Sequence, residues 1–284
     1  MRNKDTLWPL YDWVAAKHLL TDFHAHSYYS PDGVHSIDRL CERAISLGFS
    51  AIAITEHMEW IPTWRGNFDI EAYFADLERA KQKYALRGLN VYSGVEVGNP
   101  HDYSQAYDDL LRQYPFDVVV ASQHWLNDVN IHLESCFYGH EPEAIYRQYF
   151  REMERMILSC DFDVLGHFDR IFWPGTTLGV APNLSELETE IRSMLAALIQ
   201  RDRILELNTR FLGDPINWND IVASILCWYF DEGGRHVVVN SDAHNADQIG
   251  QHFELAYRML ENVRFGRSVV FTATALFERS FLSV

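Results

Sequence analysis

The sequence predicts a single α/β domain, residues 1–284, in which parallel strands form a closed or nearly closed barrel. Short apolar runs alternate with longer amphipathic segments seven times, which is typical of parallel strands covered by helices. The runs are rich in Val, Ile and Leu, as strands buried on both faces are. Polar residues lie at the carboxyl ends of these runs, and such ends converge on one face of a barrel. An open sheet would instead spread them along one edge.

Each element follows from its local pattern. The predicted strands are 18–26, 50–57, 90–98, 116–125, 162–169, 203–210 and 236–244. Helical periodicity predicts helices over 36–48, 69–86, 102–114, 142–159, 185–200, 217–233 and 251–263. A final apolar stretch covers 268–277, and 173–183 (WPGTTLGVAPN) is predicted to be an irregular loop over a site. No linker rich in Pro, Gly or Ser divides the chain, so one domain is expected.

Composition excludes several classes of protein. The formal charge of −16 opposes binding of long nucleic acid, which requires a basic surface, but it allows a small phosphorylated substrate beside metals and arginines. The four cysteines are scattered without a C-x-x-C pair, which indicates reduced thiols. The N-terminus MRNKDTLWPLYDW has no apolar core of a signal peptide, and no run approaches the roughly 18 apolar residues that span a bilayer. We therefore expect a cytoplasmic protein without membrane contact; the oligomeric state stays open.

Two rows of polar residues at alternate positions indicate a metal site. In TDFHAH (21–26), Asp22, His24 and His26 occupy alternate strand positions and are expected to share one face. Asp242 and His244 repeat this spacing on the last predicted strand. Because buried polar groups cost free energy unless something satisfies them, packing alone rarely produces such rows. A bound metal ion would satisfy them.

Other strand ends add polar side chains to this set. They are His57, Glu96, His124, His167 and Arg210, and Glu96 is expected to point inward because Val95 and Val97 flank it. A single histidine is more often a hydrogen-bonded structural residue, an interpretation that we give to His18, His35, His101, His132, His140, His236 and His252. Imidazole and carboxylate ligands without thiolates suit zinc, iron or manganese. Since three protein ligands and a water complete one catalytic site, this set predicts two or three ions that share a bridging carboxylate.

Taken together, these motifs resemble the polymerase-and-histidinol-phosphatase (PHP) superfamily. DFHAH matches its D-x-H-x-H motif, TEH (55–57) resembles its T-D-H, VEVG carries the bridging glutamate, and NSDAH (240–244) matches S-D-x-H. SQH (122–124) and GHFD (166–169) supply the middle histidines. The resemblance implies a distorted (β/α)7 barrel, similar to a TIM barrel. Glu56 departs from the family's usual Asp, and alternation turns it away from the His57 face, so we expect an altered neighbour rather than a lost ligand.

The resemblance also implies a set of ligands. A first ion is expected on His24, His26, Glu96 and Asp242. A second is expected on His57, His244 and Asp32, with His35 as the competing candidate for Asp32. Glu96 would bridge to a third ion on His124 and His167.

The elements SPDG, GHFDR and ELNTR resemble the histidinol-phosphate phosphatase branch most closely. That branch places phosphate-binding arginines where Arg170 and Arg210 lie here; the alternative is an ordinary ion pair in a chain with 40 acidic residues. The implied reaction is hydrolysis of a small phosphate monoester, foremost L-histidinol phosphate, by a hydroxide bridging two ions. The general acid is not identified, and Asp169 and a metal-bound water are the candidates.

Two alternatives remain open. A general phosphoesterase of the same superfamily would act on nucleotides or oligonucleotide ends, with Trp60, Trp64, Trp125 and Trp173 available to stack a base, although packing or lid roles suit these tryptophans better. A non-catalytic metal-binding domain is the alternative of another class. A panel of phosphate esters would separate the three hypotheses.

Overall fold

A computed structural model describes residues 20–64, 66–213, 218–263 and 265, and nine strands lie in this part of the chain. They are β1 (Thr21–Asp22), β2 (Ala51–Met58), β3 (Asn90–Gly98), β4 (Val118–Ser122), β5 (Trp125–Leu126), β6 (Val129–Asn130), β7 (Val164–Leu165), β8 (Ile204–Asn208) and β9 (Val237–Asn240). Seven of them form one parallel sheet in the order β1-β2-β3-β4-β7-β8-β9. These seven correspond to the seven strands predicted from the sequence.

The two ends of the sheet meet. Ala25 and Ala243 form a parallel bridge just beyond β1 and β9, and the His26 backbone N–H donates to the Ala243 carbonyl at 2.7 Å. The sheet is therefore a nearly closed seven-stranded barrel, and the prediction of the fold class is confirmed. Because all seven strands run parallel, their carboxyl ends lie at the same rim.

Helices surround this barrel, and all the described ones except α5 lie at predicted positions. The described ones are α1 (Ile37–Leu47), α2 (Ile70–Ala85), α3 (Ser104–Gln113), α4 (Pro142–Ser159), α5 (Phe172–Thr177), α6 (Leu184–Gln200), α7 (Trp218–Asp231) and α8 (Phe253–Asn262). Their ends follow local capping chemistry: the side chains of Ser36 and Asp69 accept from backbone N–H groups of the first turns of α1 and α2. Gly48 ends α1 with φ +82°, a conformation that favours glycine.

Alternation along the strands separates two layers of side chains. One face of the sheet packs on the helices, while the other fills the lower barrel interior with Phe23, Ala51, Ala53, Val118, Val120, Val164, Ile204 and Val238. Two residues further along, the inward positions become polar, as in Ser122 after Val120 and Glu206 after Ile204. An apolar plug thus fills the lower barrel, and buried polar groups gather at the rim.

Two local predictions are wrong. The predicted strand 116–125 ends at Ser122, and Trp125 instead begins a short hairpin of β5 and β6 that turns at Asn127 and Asp128, both with positive φ. The first part of the predicted loop 173–183 is helical and belongs to α5. Pro174 does not prevent this, because proline is tolerated in the first turn of a helix. Gly175 allows this helix to pack closely, since a Cβ there would lie 1.8 Å from the Tyr146 hydroxyl oxygen.

Some predicted features lie outside the described residues: the start of the first strand at 18–19, His18, the N-terminal segment in which no signal peptide was predicted, and the stretch 268–277. All four cysteines are described and are free thiols. Among the described helices, none combines the length and the apolar character needed to cross a membrane.

A buried hydroxyl ties α2 to the barrel wall and allows a stability test. Tyr73 Oη donates to the Ile54 carbonyl at 2.7 Å and accepts from the Gly94 N–H at 2.8 Å. Tyr73→Phe leaves both buried groups unsatisfied, so we expect the free energy of unfolding to fall by about 1–3 kcal/mol in urea denaturation. Tyr28→Phe, which removes an exposed hydroxyl bonded to Asp76, is the control. Equal losses in both variants would contradict this account.

Candidate metal centre

Glu96 lies at the centre of the predicted ligand set. It occupies an inward position near the end of β3 and is fully buried. Its Oε2 lies 3.3 Å from His24 Nε2, 3.4 Å from His26 Nε2 and 2.9 Å from His57 Nδ1. One carboxylate oxygen therefore faces three imidazoles that come from two separate segments of the chain.

The other oxygen of Glu96 faces a second pair of imidazoles. Oε1 lies 2.7 Å from His167 Nε2 and 3.1 Å from His124 Nε2, and it accepts a hydrogen bond of 2.7 Å from Ser122 Oγ. The rings of His124 and His167 stack with centroids 5.2 Å apart. Glu96 thus stands between two groups of imidazoles, as a bridging carboxylate would.

Asp242 closes the opposite side of the H-x-H pair. Its Oδ1 lies 3.6 Å from His24 Nε2, 3.3 Å from His26 Nε2 and 3.5 Å from His244 Nδ1. Its backbone has φ +51°, a left-handed conformation that is uncommon for a residue other than glycine and is often found at functional sites. His24 and His26 are therefore held between two carboxylates, Glu96 and Asp242.

The loop after the first strand brings Asp32 to this cluster. Asp32 Oδ2 lies 3.0 Å from His244 Nε2, and its Oδ1 lies 3.5 Å from His57 Nε2. The competing candidate, His35, uses its Nδ1 to accept from the Ala246 backbone N–H at 3.0 Å. The structure thus places Asp32, with its side chain 53% exposed, beside the predicted ligands of the second ion, and engages His35 elsewhere.

Several atoms at the centre of the cluster lack hydrogen bonds. They are His24 Nε2, His26 Nε2, His57 Nδ1 and Glu96 Oε2, all buried. Unpaired buried groups of this kind are costly, so their convergence indicates a binding site for cations. Four overlapping groups of donor atoms here are close enough to hold an ion: His26–His57–His244, His24–His26–Asp242, His24–Glu96–His167 and His57–Glu59–His124. These donors fit divalent metals.

Electrostatics keep the central carboxylates charged. Burial raises the pKa of Glu96, but the imidazoles of His24, His124 and His57 together hold that pKa well below its ordinary value. Burial also raises the pKa of Asp242, but His24 and the hydrogen bond to His26 lower it, and the pKa lies well below its usual range. Both groups therefore offer anionic oxygen atoms at neutral pH.

Two buried glutamates that were not predicted from the sequence contact Nδ1 of ligand histidines, the ring nitrogen that faces away from Glu96. Glu206 Oε1 lies 2.7 Å from His24 Nδ1, and Glu59 Oε1 contacts His124 Nδ1. Glu59 Oε2 also accepts from Trp125 Nε1 at 2.8 Å. Strand alternation after Ile204 could have identified Glu206 as an inward residue, whereas Glu59 follows the end of β2 and has no such signal.

Glu56 lies on the helix side of β2, opposite to His57, and acts on the cluster through a serine. It accepts from the Ser27 N–H at 3.1 Å and from the hydroxyls of Ser27 and Ser30. Ser30 Oγ accepts in turn from the His57 N–H at 3.0 Å and lies 3.3 Å from His26 Nδ1. Glu56, which is longer than the family's usual Asp, therefore reaches the Ser30 hydroxyl, and this hydroxyl contacts both His26 and His57.

Asp22 does not join His24 and His26 as the sequence analysis expected. Its carboxylate accepts from the Ser241 N–H at 3.0 Å and from the Ser241 hydroxyl, and burial raises its pKa to about 6. β1 ends at Asp22, and Phe23 points into the lower barrel core. Strand alternation therefore does not continue through the whole segment, and Asp22 instead ties the first segment to the last strand.

Both predicted arginines lie beside Asp242. Arg170 is 3% exposed, pairs with Asp242 Oδ2 and places its guanidinium 4.6 Å above the Phe211 ring. Arg210 Nη1 donates to the Asp242 carbonyl at 3.2 Å and contacts His244 Nδ1, and its side chain is 29% exposed. Two guanidinium groups thus border the cluster.

Asp169, the candidate general acid, is hydrogen-bonded to a buried tryptophan. Its Oδ2 accepts from Trp218 Nε1 at 2.8 Å, and burial raises its pKa to about 6. Asp169 belongs to none of the donor groups around Glu96 found among the described residues. Its role in proton transfer stays a prediction.

Most histidines assigned structural roles lie outside the cluster. His132 is the exception, since its ring centroid lies 6.1 Å from that of His124. His101 forms a separate group with Asp102 and Glu152, where Arg155 already pairs with both carboxylates.

Of the four tryptophans, Trp64 lies beside His57 with ring centroids 6.3 Å apart, and Trp173 stacks on Phe211. Trp60 lies 6.3 Å from the Tyr103 ring, measured between centroids, and Trp125 donates to Glu59. Base stacking by these residues stays untested.

A parallel barrel with imidazoles and carboxylates clustered at the carboxyl ends of its strands defines a barrel protein with a candidate multinuclear metal centre. The family model of the PHP domain matches residues 22–210. The chain therefore belongs to the PHP domain family, as its motifs indicated.

Similar proteins extend over almost the whole chain. A probable histidinol-phosphatase of Clostridium acetobutylicum is 28% identical over 86% of this chain and 94% of its own length. The histidinol-phosphatase of Lactococcus lactis is 22% identical over 88% of this chain and 94% of its own. A crystal structure of histidinol phosphate phosphatase from Lactococcus lactis, complexed with zinc, L-histidinol and phosphate, covers 90% of this chain and 97% of its own with a TM-score of 0.80 at 20% identity. That likeness establishes the fold.

Proposed function

We propose that this protein is a metal-dependent phosphatase that hydrolyses L-histidinol phosphate to L-histidinol and phosphate. The observation that carries the proposal is the ring of unpaired imidazole nitrogens around Glu96, bordered by two guanidinium groups. Cation sites beside arginines suit a phosphate monoester. The names of the relatives support histidinol phosphate as the substrate.

The proposed ligands follow the contacts described above. Two or three ions of zinc, iron or manganese would bind to His24, His26, Asp32, His57, Glu96, His124, His167, Asp242 and His244. When bound, such ions supply Lewis-acid polarisation of the phosphoryl group and water of lowered pKa. Glu96 would hold neighbouring ions together, and Asp242 would contact the first.

The arginines would orient the substrate. A planar guanidinium donates two parallel hydrogen bonds to phosphoryl oxygens, and these bonds strengthen as charge develops during attack on phosphorus. Arg210 is the more exposed of the two, and Phe211 stacks against Arg170. The site therefore presents fixed cations to a small anionic ester.

A panel of esters tests the proposal. Zinc-loaded and manganese-loaded protein is assayed for phosphate release from L-histidinol phosphate, a nucleoside monophosphate and an aryl phosphodiester. We expect the highest kcat/KM with L-histidinol phosphate. Preference for the nucleotide or the diester would favour a general phosphoesterase. No hydrolysis of any ester by the metal-loaded protein would favour a non-catalytic metal-binding domain.

A further inference from the structure

Glu206 is a fully buried carboxylate with four partners. Its Oε1 lies 2.7 Å from His24 Nδ1 and 2.8 Å from Asn240 Nδ2. Its Oε2 lies 2.7 Å from the His167 backbone N and 3.1 Å from Asn208 Nδ2. These four groups come from the first segment, the end of β7, β8 and β9, so this one side chain connects elements around half of the barrel.

Three of these partners, the His167 N–H and the amides of Asn208 and Asn240, can only donate. Both oxygens of Glu206 accept from these fixed donors, Oε1 from Asn240 and Oε2 from His167 and Asn208, as the oxygens of an ionised carboxylate do. His24 must therefore carry a proton on Nδ1. Its other nitrogen, Nε2, has no hydrogen bond and points toward Glu96 Oε2 at 3.3 Å and Asp242 Oδ1 at 3.6 Å.

We propose that Glu206 is a positioning residue of the metal centre, which holds His24 with Nε2 directed at the ions and fixes the main chain of His167. The inference rests on the proposed metal-dependent function. A carboxylate behind a ligating histidine sets its tautomer and ring orientation, and its removal typically weakens metal binding. Here the same carboxylate would support ligands on both sides of Glu96.

Glu206→Gln breaks this arrangement in either orientation of the amide. With its NH2 toward His24 and Asn240, His24 must shift its proton to Nε2, where it would block the ion. Asn240 could adapt only by giving up the bond that its Oδ1 accepts from the Phe23 N–H. With the NH2 reversed, it meets the N–H of His167 and the amide of Asn208, whose Oδ1 already accepts from the Arg210 N–H.

The test measures zinc retention in the absence of substrate. Wild type, Glu206→Gln and Glu190→Gln are loaded with zinc, dialysed against graded chelator and analysed for bound metal by mass spectrometry. Glu190 is the matched control, a buried glutamate on α6 that pairs with Arg151 and Arg147. We expect Glu206→Gln to hold zinc about 10–100-fold more weakly, and Glu190→Gln to match the wild type. Wild-type retention by Glu206→Gln would overturn the inference.

A double variant separates positioning from a general loss of stability. In a His24→Ala background, Glu206→Gln should cause a smaller additional loss of zinc affinity, because the ring that it positions is gone. A full, additive loss would overturn the inference. If Glu206→Gln does not fold, Glu206→Asp keeps the charge but withdraws it by one methylene, and weaker zinc retention is again expected; wild-type retention would refute the inference. A wild type that retains zinc but releases no phosphate would refute the proposed function alone.

Discussion

Glu96→Gln is expected to lower kcat for phosphate release on the order of 10³-fold, the loss typical of removing a key electrostatic group from an active site. Both carboxylate oxygens face imidazole nitrogens, His57 Nδ1 at 2.9 Å on one side and His167 Nε2 at 2.7 Å on the other. A glutamine would present an NH2 to one of these two groups. That side would lose its anionic oxygen and repel a cation, so bound metal should fall as well.

Steady-state kinetics and metal analysis of the same preparations check this result. Glu152→Gln is the control, because Glu152 also lies in a group of histidine and carboxylate side chains, but its partner there is Arg155. The control should keep wild-type kcat and metal content. If Glu96→Gln retains both, Glu96 does not bridge ions and the proposed ligand set is wrong.

The barrel was predictable because its signals are local and repeat along the chain. Period-two alternation directs Glu96 and Ser122 inward, and parallel strands bring their carboxyl ends to one rim whatever their separation in sequence. The resemblance to the PHP superfamily implied a shared ion for His124 and His167, and their Nε2 atoms lie 3.3 Å apart although 43 residues separate them. Strand ends therefore gave the site's location without any knowledge of the contacts.

The errors arose where regular geometry stops. β1 has only two residues, so alternation could not be extended to His24 and His26, and Asp22 turns to Ser241 instead. The contacts that support the ligands could not be predicted either. Glu59 lies beyond the end of a strand, and its partner His124 is 65 residues away in the sequence. Gly98 makes room for that carboxylate, since a Cβ there would lie 2.2 Å from Glu59 Oε2. Such close approaches depend on tertiary structure alone.

The second large effect is expected from the arginine at the end of β8. Arg210→Met should lower kcat/KM for L-histidinol phosphate by about 10²-fold, because a positioned donor to the phosphoryl oxygens is lost. Arg210 is the more informative choice because its side chain is 29% exposed, whereas Arg170 is buried and pairs directly with the Asp242 carboxylate. Steady-state kinetics that determines kcat and KM separately, together with metal analysis, measures the effect.

The two ends of β8 provide the matched comparison. Arg203 precedes the strand at the bottom of the barrel and pairs with Asp161, whereas Arg210 follows it at the rim. Arg203→Met removes an equal charge from the same chain and should leave kcat/KM unchanged. Bound metal should be unchanged in both variants, because neither arginine is a proposed ligand. Equal kcat/KM for Arg210→Met and wild type would show that the guanidinium does not contact the substrate. If Arg210→Met also lost metal, the fall in kcat/KM would be assigned to disturbance of Asp242 and His244 rather than to a lost substrate contact.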